Sequence, residues 1–161
     1  DFGQGITVHR IVSQSSGILE VEIEPAADAM TGYRDVVAPG AQAIDAFAVY
    51  DRMDYIKILP DENLARIGGE AAPKQLAQFE AVAFHRGADD EPLTQDDVNL
   101  GAIQPDWGIN EYNIRYEDDD IQHVGQIDQN GLFTPAIDGP NFDRELNANN
   151  FGDVWIVASS C

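Results

Sequence analysis

The chain has 161 residues, 43% of them hydrophobic, enough for one medium domain or two small ones. Its 29 acidic residues outweigh 9 basic ones for a formal net charge of -20, so the clustered cations that nucleic acid or an anionic membrane surface would require are missing. The balance points instead to high solubility, a basic partner or a salty medium.

No window approaches the roughly 18 apolar residues of a membrane-spanning helix. No basic region followed by an apolar stretch opens the chain, so an exported protein would be present here in processed form. The only cysteine is Cys161, which can be a free thiol or bridge to another chain but cannot close an internal disulfide. Without Cys-x-x-Cys-His, the chain has nowhere to attach a c-type haem.

Strand patterns fill most of the sequence. Residues 5–12 (GITVHRIV), 18–24 (ILEVEIE), 33–37 (YRDVV) and 43–50 (AIDAFAVY) carry β-branched and aromatic residues with partial alternation. In ILEVEIE, Ile18, Val21 and Ile23 stand among glutamates, which predicts one apolar and one charged face, as in an antiparallel sheet with a wet side. Turn residues at 13–17 (SQSSG), 25–32 and 38–41 (APGA) separate these strands, and AADAM is long enough for one helical turn only. A second series runs through 55–60 (YIKILP), 75–86 (QLAQFEAVAFHR), 98–109 (VNLGAIQPDWGI), 109–117 (INEYNIRYE), 123–128 (HVGQID), 132–137 (LFTPAI) and 153–159 (DVWIVAS), with an acidic loop at 87–97. Residues 55–161 therefore hold enough strands for a complete sandwich of about 100 residues. Residues 1–54 hold about four, too few to bury a comfortable core alone. Their opening strands are expected to be missing or supplied elsewhere, or the segment to pack closely on the second domain.

Candidate sites are few. In VGQIDQNGLFTPAIDGP (residues 124–140), Asp128, Asn130, Gly131 and Asp138 are residue types that hold metal ions, but Asn-Gly is also the strongest short hairpin signal. Leu-Phe-Thr-Pro follows Gly131 where a calcium loop would continue its oxygen donors, so the stretch is read as a turn. The acidic runs Asp89-Asp90-Glu91, Asp96-Asp97 and Glu117-Asp118-Asp119-Asp120 are read as solvated loops, with calcium binding the alternative. His9, His85 and His123 lack the spacing of zinc ligands, and no nucleophile elbow or phosphate loop occurs. No catalytic, cofactor-binding or metal-ligating residue is assigned. Trp107 and Trp155 read as core or interface anchors. In the last strand Val154 and Ile156 face one way and Trp155 and Val157 the other, so both faces are apolar.

Residues 75–158, with QFEAVAF, PDWGI, VGQIDQNGLFTPA and GDVWIVAS, resemble bacterial immunoglobulin-like domains. A narrower resemblance runs through AADAMTGYRDVVAPGA, AVYDRMDYIKILPDENLARIGG, PKQLAQFEAVAF, LGAIQPDWGINEY and VGQIDQNGLFTPAIDGPN. These motifs resemble the C-terminal immunoglobulin-like part of the α subunit of quinohemoprotein amine dehydrogenase. The resemblance implies an all-β protein of antiparallel immunoglobulin-like β-sandwich domains, partial over 1–54 and complete over 55–161. It implies a non-catalytic structural or docking component of a periplasmic or otherwise exported complex that oxidises primary amines. Haem c and cysteine tryptophylquinone are then expected on partner domains or subunits, and the other subunits are the expected partners. The rival reading is an immunoglobulin-like module of a cell-surface or filament protein, stiffened by calcium.

Overall fold

A computed structural model describes residues 1–113, 119–144 and 149–160. Among the described residues, regular structure consists of twelve strands and one four-residue helix, so the chain is all-β as its patterning predicts. In chain order the strands are β1 (Ile6–Ser15), β2 (Ile18–Pro25), β3 (Gly32–Ala38), β4 (Ala41–Val49), β5 (Tyr55–Leu59), β6 (Ala77–Gln78), β7 (Glu80–His85), β8 (Val98–Ile103) and β9 (Asp106–Glu111). The helix α1 (Asp120–His123) follows, then β10 (Gly125–Ile127), β11 (Leu132–Pro135) and β12 (Val154–Ser159). Two compact units emerge: Asp1–Tyr55 with Ala83–Gly101, and Ile56–Val82 with Ala102–Cys161. Strands β5, β7 and β8 form one sheet in that order.

In the first unit, β1 and β2 form an antiparallel ribbon joined by Ser16-Gly17, with Gly17 at φ 83° as a tight reversal demands. Strand β1 thus runs through Ser15, further than its SQSSG sequence suggests. Its apolar residues break simple alternation, and two bulges repair the phase. Val8 lies opposite Ile23, Arg10 opposite Glu22, Ile11 opposite Val21 and Ser13 opposite Glu20. Each extra residue, His9 and Val12, shifts β1 by one, so Val8 and Ile11 share a face with Leu19, Val21 and Ile23. Ile18, grouped by sequence with Val21 and Ile23, falls on the glutamate face instead because its parity is that of Glu20. On this polar face Arg10 Nε donates to Glu22 (2.5 Å), Ser13 Oγ to Glu20 (2.9 Å), and His9 Nε2 meets Glu24 (2.6 Å). The apolar face is open: Val8, Ile11 and Leu19 are 43%, 58% and 45% exposed.

β3 and β4 form a second antiparallel ribbon, in which Ile44, Asp45 and Ala46 bulge opposite Asp35. Asp35 holds the bulge by accepting from the Asp45 N–H (3.1 Å) and from Gln42 Nε2 (2.9 Å). Asp45 has φ 51°, a left-handed conformation that aspartate tolerates better than a β-branched residue would.

The second unit has the better core. Ala77, Phe79, Val124 and Phe133 are buried together, and Trp107, Ile109, Ile127, Val154 and Ile156 pack around them. β11 lies between β10 and β6, antiparallel to both, while β12 pairs antiparallel with β9. Three segments are more broken than alternation suggests. The 75–86 stretch divides at Phe79, whose N–H leaves the β6 ladder and donates to the Gly131 carbonyl (2.8 Å). The 98–109 stretch divides at Gln104-Pro105, where proline has no N–H to give. HVGQID loses its first two residues to α1 and its exit. Of INEYNIRYE, β9 covers the first three residues, and 114–117 lie outside the described residues.

Gly131 is a tight point of this unit. It has φ 74°, and a Cβ there would run into the Phe79 carbonyl oxygen and stand 2.9 Å from Trp107 Cζ2. Backbone conformation and packing both require glycine. Gly131→Ala is expected to lower unfolding free energy by about 2 kcal/mol or more, read from the urea midpoint.

Candidate interaction surface

The stretch with the most suggestive oxygen donors spends them on its own backbone. Asp128 Oδ1 accepts from the N–H groups of Asn130 (2.8 Å) and Leu132 (3.0 Å), while the Gly131 N–H donates to the Asp128 carbonyl (3.0 Å). The N–H donors of Leu132, first, and Asn130 hold the Asp128 carboxyl below its ordinary range. Asn130 offers its carbonyl to Gln78 Nε2 (2.7 Å). Asp138 does not join the turn; its carboxylate lies over Gly69. DQNG is therefore a side-chain-capped hairpin.

The acidic loop at 87–97 behaves alike. Asp96 accepts from the N–H groups of Ala88 (2.6 Å) and Asp89 (3.3 Å) and from Thr94 Oγ1 (2.8 Å), and the Ala88 bond leads in holding its carboxyl low. Asp97 takes the Tyr55 hydroxyl (2.6 Å) and the Thr94 N–H (3.1 Å), and Asp89 takes the Glu91 N–H (2.9 Å). Burial, then the bond to Asp97, pushes the Tyr55 phenol up. Beside this loop, Asp54 accepts from the Arg86 N–H (2.9 Å) and Arg52 Nε (2.6 Å), which together keep it ionised. Most of these carboxylates are exposed, as their sequence suggests, and several also fasten the loop.

The histidines stay apart. His85 is buried, with Nδ1 accepting the Gly87 N–H (3.0 Å) and Nε2 facing Asp51 (3.2 Å); these partners fit the neutral ring protonated on Nε2. His9 meets Glu24, and His123 Nδ1 meets Asn141 Nδ2 (3.2 Å). Among the described residues, no three His, Cys, Asp or Glu side chains converge as metal ligands. Glu117, Asp118 and Cys161 lie outside the described residues.

Asp120 has a different role from its neighbours in the acidic run. It is buried, and its Oδ1 accepts from Arg144 Nη2 at 2.5 Å, while Oδ2 accepts from the Asp153 N–H at 3.0 Å. Arg144 Nη1 also donates to the carbonyls of Asn149 (2.9 Å) and Phe151 (3.1 Å). One ion pair thus ties α1 to the segment that leads into β12. A side chain at 152 would collide with the Asp120 carboxylate, so glycine stands there. Sequence reasoning missed this pair; the one signal was a lone arginine within an acid-rich segment.

What remains open on β9 and β12 is aromatic. Trp155 lies opposite Asn110 and Val157 opposite Gly108, while Val154 and Ile156 enter the core. The outer face therefore carries Trp155 and Val157, as alternation predicts. Trp155 is 55% exposed, Tyr112 is 53% exposed, and their rings lie 4.9 Å apart at 40°. Trp107 is a core residue. Large exposed aromatics on a sheet face are typical interface anchors.

Residues 56–161 match the family model described as quinohemoprotein amine dehydrogenase, alpha subunit domain IV. No curated protein matches the chain.

Two variants probe the fastening groups. Removing one partner of a buried ion pair leaves the other uncompensated, so Asp120→Ala is expected to cost about 3–5 kcal/mol in chemical denaturation. Adding Arg144→Met should recover part of that loss. Because Asp128 has a lowered folded pKa, its ionised form stabilises the hairpin above the unfolded value of about 3.9, and this contribution fades as pH falls through the folded value. Asp128→Ala should thus lower the melting temperature at neutral pH, with the gap to wild type narrowing on acidification.

Proposed function

Because this chain belongs to the quinohemoprotein amine dehydrogenase family, through domain IV of the α subunit, we propose that it is a non-catalytic structural and docking component of an amine-oxidising redox complex. The single observation that carries the docking role is the Trp155–Tyr112 pair, exposed on the outer face of β9 and β12. The polar groups that resemble ligands are committed to loop and hairpin backbone, so this face is left to bind by apolar contact. In this reading the complex works in the periplasm or another exported setting. Haem c and cysteine tryptophylquinone belong in this reading to other domains or subunits, where they would supply the redox chemistry of amine oxidation.

The first unit has a supporting part. Residues 1–54 act as a partial immunoglobulin-like domain, and strands from another segment or chain complete it. The uncovered apolar face of β1 and β2 supports this, since a two-stranded ribbon alone is marginal in water. Residues 55–161 form the complete domain.

Trp155→Ala tests the docking role. The protein purified with its subunits should show haem absorbance and a multi-subunit mass in native mass spectrometry. The variant should keep its own melting temperature, because the side chain is half outside, yet release those subunits. A colourless monomer or homopolymer from the wild type would instead favour a cell-surface or filament module.

A further inference from the structure

The charge and shape around Trp155 point to a more specific occupant. Resting on the docking reading above, we propose that the outer face of β9 and β12 receives an extended, arginine-bearing segment of a partner protein, with a guanidinium stacked on the Trp155 indole.

Three observations meet at this face. Trp155 and Tyr112 form an open aromatic wall. Beside it, Gly108 lies opposite Val157, and a Cβ there would meet nothing within 4 Å. Its φ lies outside the left-handed range, so neither backbone conformation nor local crowding requires glycine. A strand glycine of this kind suits the close approach of another backbone. The third observation is charge. Asp106 lies on the same face as Gly108 and Asn110, and Asp153 precedes Trp155 by two residues; both are exposed.

The segment that bears this face is poor in cations. Lys57, Arg66 and Lys74 lie in the other segment of the unit, while residues 102–161 contain eleven Asp and Glu but two Arg and no Lys. Of the two, Arg144 is buried against Asp120, and Arg115 lies outside the described residues. A second copy of this chain would bring another -20 of formal charge to the interface, so complementarity selects a basic partner. Arginine suits the wall better than lysine, because its planar, weakly hydrated guanidinium stacks on an indole and still donates to carboxylates.

The test uses the full chain and its assembled complex. A ten-residue peptide alternating arginine and serine should quench tryptophan fluorescence in the wild type. It should bind Trp155→Ala on the order of tenfold more weakly, and lose affinity as salt rises. The double variant Asp106→Lys, Asp153→Lys should weaken peptide binding and subunit retention together. Equal binding of a glutamate–serine peptide, or no response to the double charge reversal, would overturn the inference. If Trp155→Ala releases the subunits while the arginine peptide fails to bind, docking stands and the basic occupant is wrong. If Trp155→Ala keeps its subunits, the docking reading itself fails and this inference falls with it. Unfolding midpoints equal to wild type establish that each variant is folded.

Discussion

The second unit depends on how closely the backbone of one turn approaches its core. Gly131 presses against the Phe79 carbonyl and the Trp107 ring, and its own carbonyl takes the Phe79 N–H that a continuous strand would have used. That contact divides β6 from β7 and lets β6 pair with β11, bringing Phe79 and Phe133 into one cluster. Local turn chemistry and tertiary packing share the same atoms there. The Asn-Gly signal explains why a turn forms, and the buried glycine explains why no other residue serves.

Across the two units the acidic residues divide between two tasks. Asp35, Asp96, Asp97 and Asp128 accept backbone N–H groups in bulges, loops and turns that have no strand partner. An unmet N–H in such irregular segments is costly, and Asp96 and Asp128 each satisfy two at once. Asp120 goes further, holding an arginine inside the protein. Others, such as Asp106 and Asp153, remain on the surface and set its sign. A high acid count therefore reflects both fastening and long-range field.

The sequence carried some of these features openly and hid others. Strand locations were legible because β-branched residues and turn residues alternate at short intervals, and the inward and outward assignments of β12 followed from period two alone. The same rule misplaced Ile18, since three apolar residues among glutamates do not share a face unless their spacing is even. It also could not foresee the bulges of β1, because an inserted residue is visible only through its partner strand. The division at Phe79 depends on a hydrogen bond to a residue 52 positions later, and Asp120 with Arg144 on a contact across 24 positions. Neither leaves a local pattern. The exposed aromatic face was half legible: two apolar faces on one strand announce that something covers the second, without saying what.

The two ribbons of the first unit have a consequence for how the molecule behaves in solution. Among the described residues β1–β2 and β3–β4 are each two-stranded sheets, so their outer edges carry no third strand, although Asp1 bonds both backbone groups of Val37. Such edges invite copies to zip together, and natural proteins block this with charge, bulges or covering segments. Here bulges interrupt both ribbons, and -20 of formal charge repels approaching copies over a distance set by ionic strength. The acidity thereby serves as a colloidal guard for strand edges whose hydrogen-bonding groups would otherwise recruit their own kind.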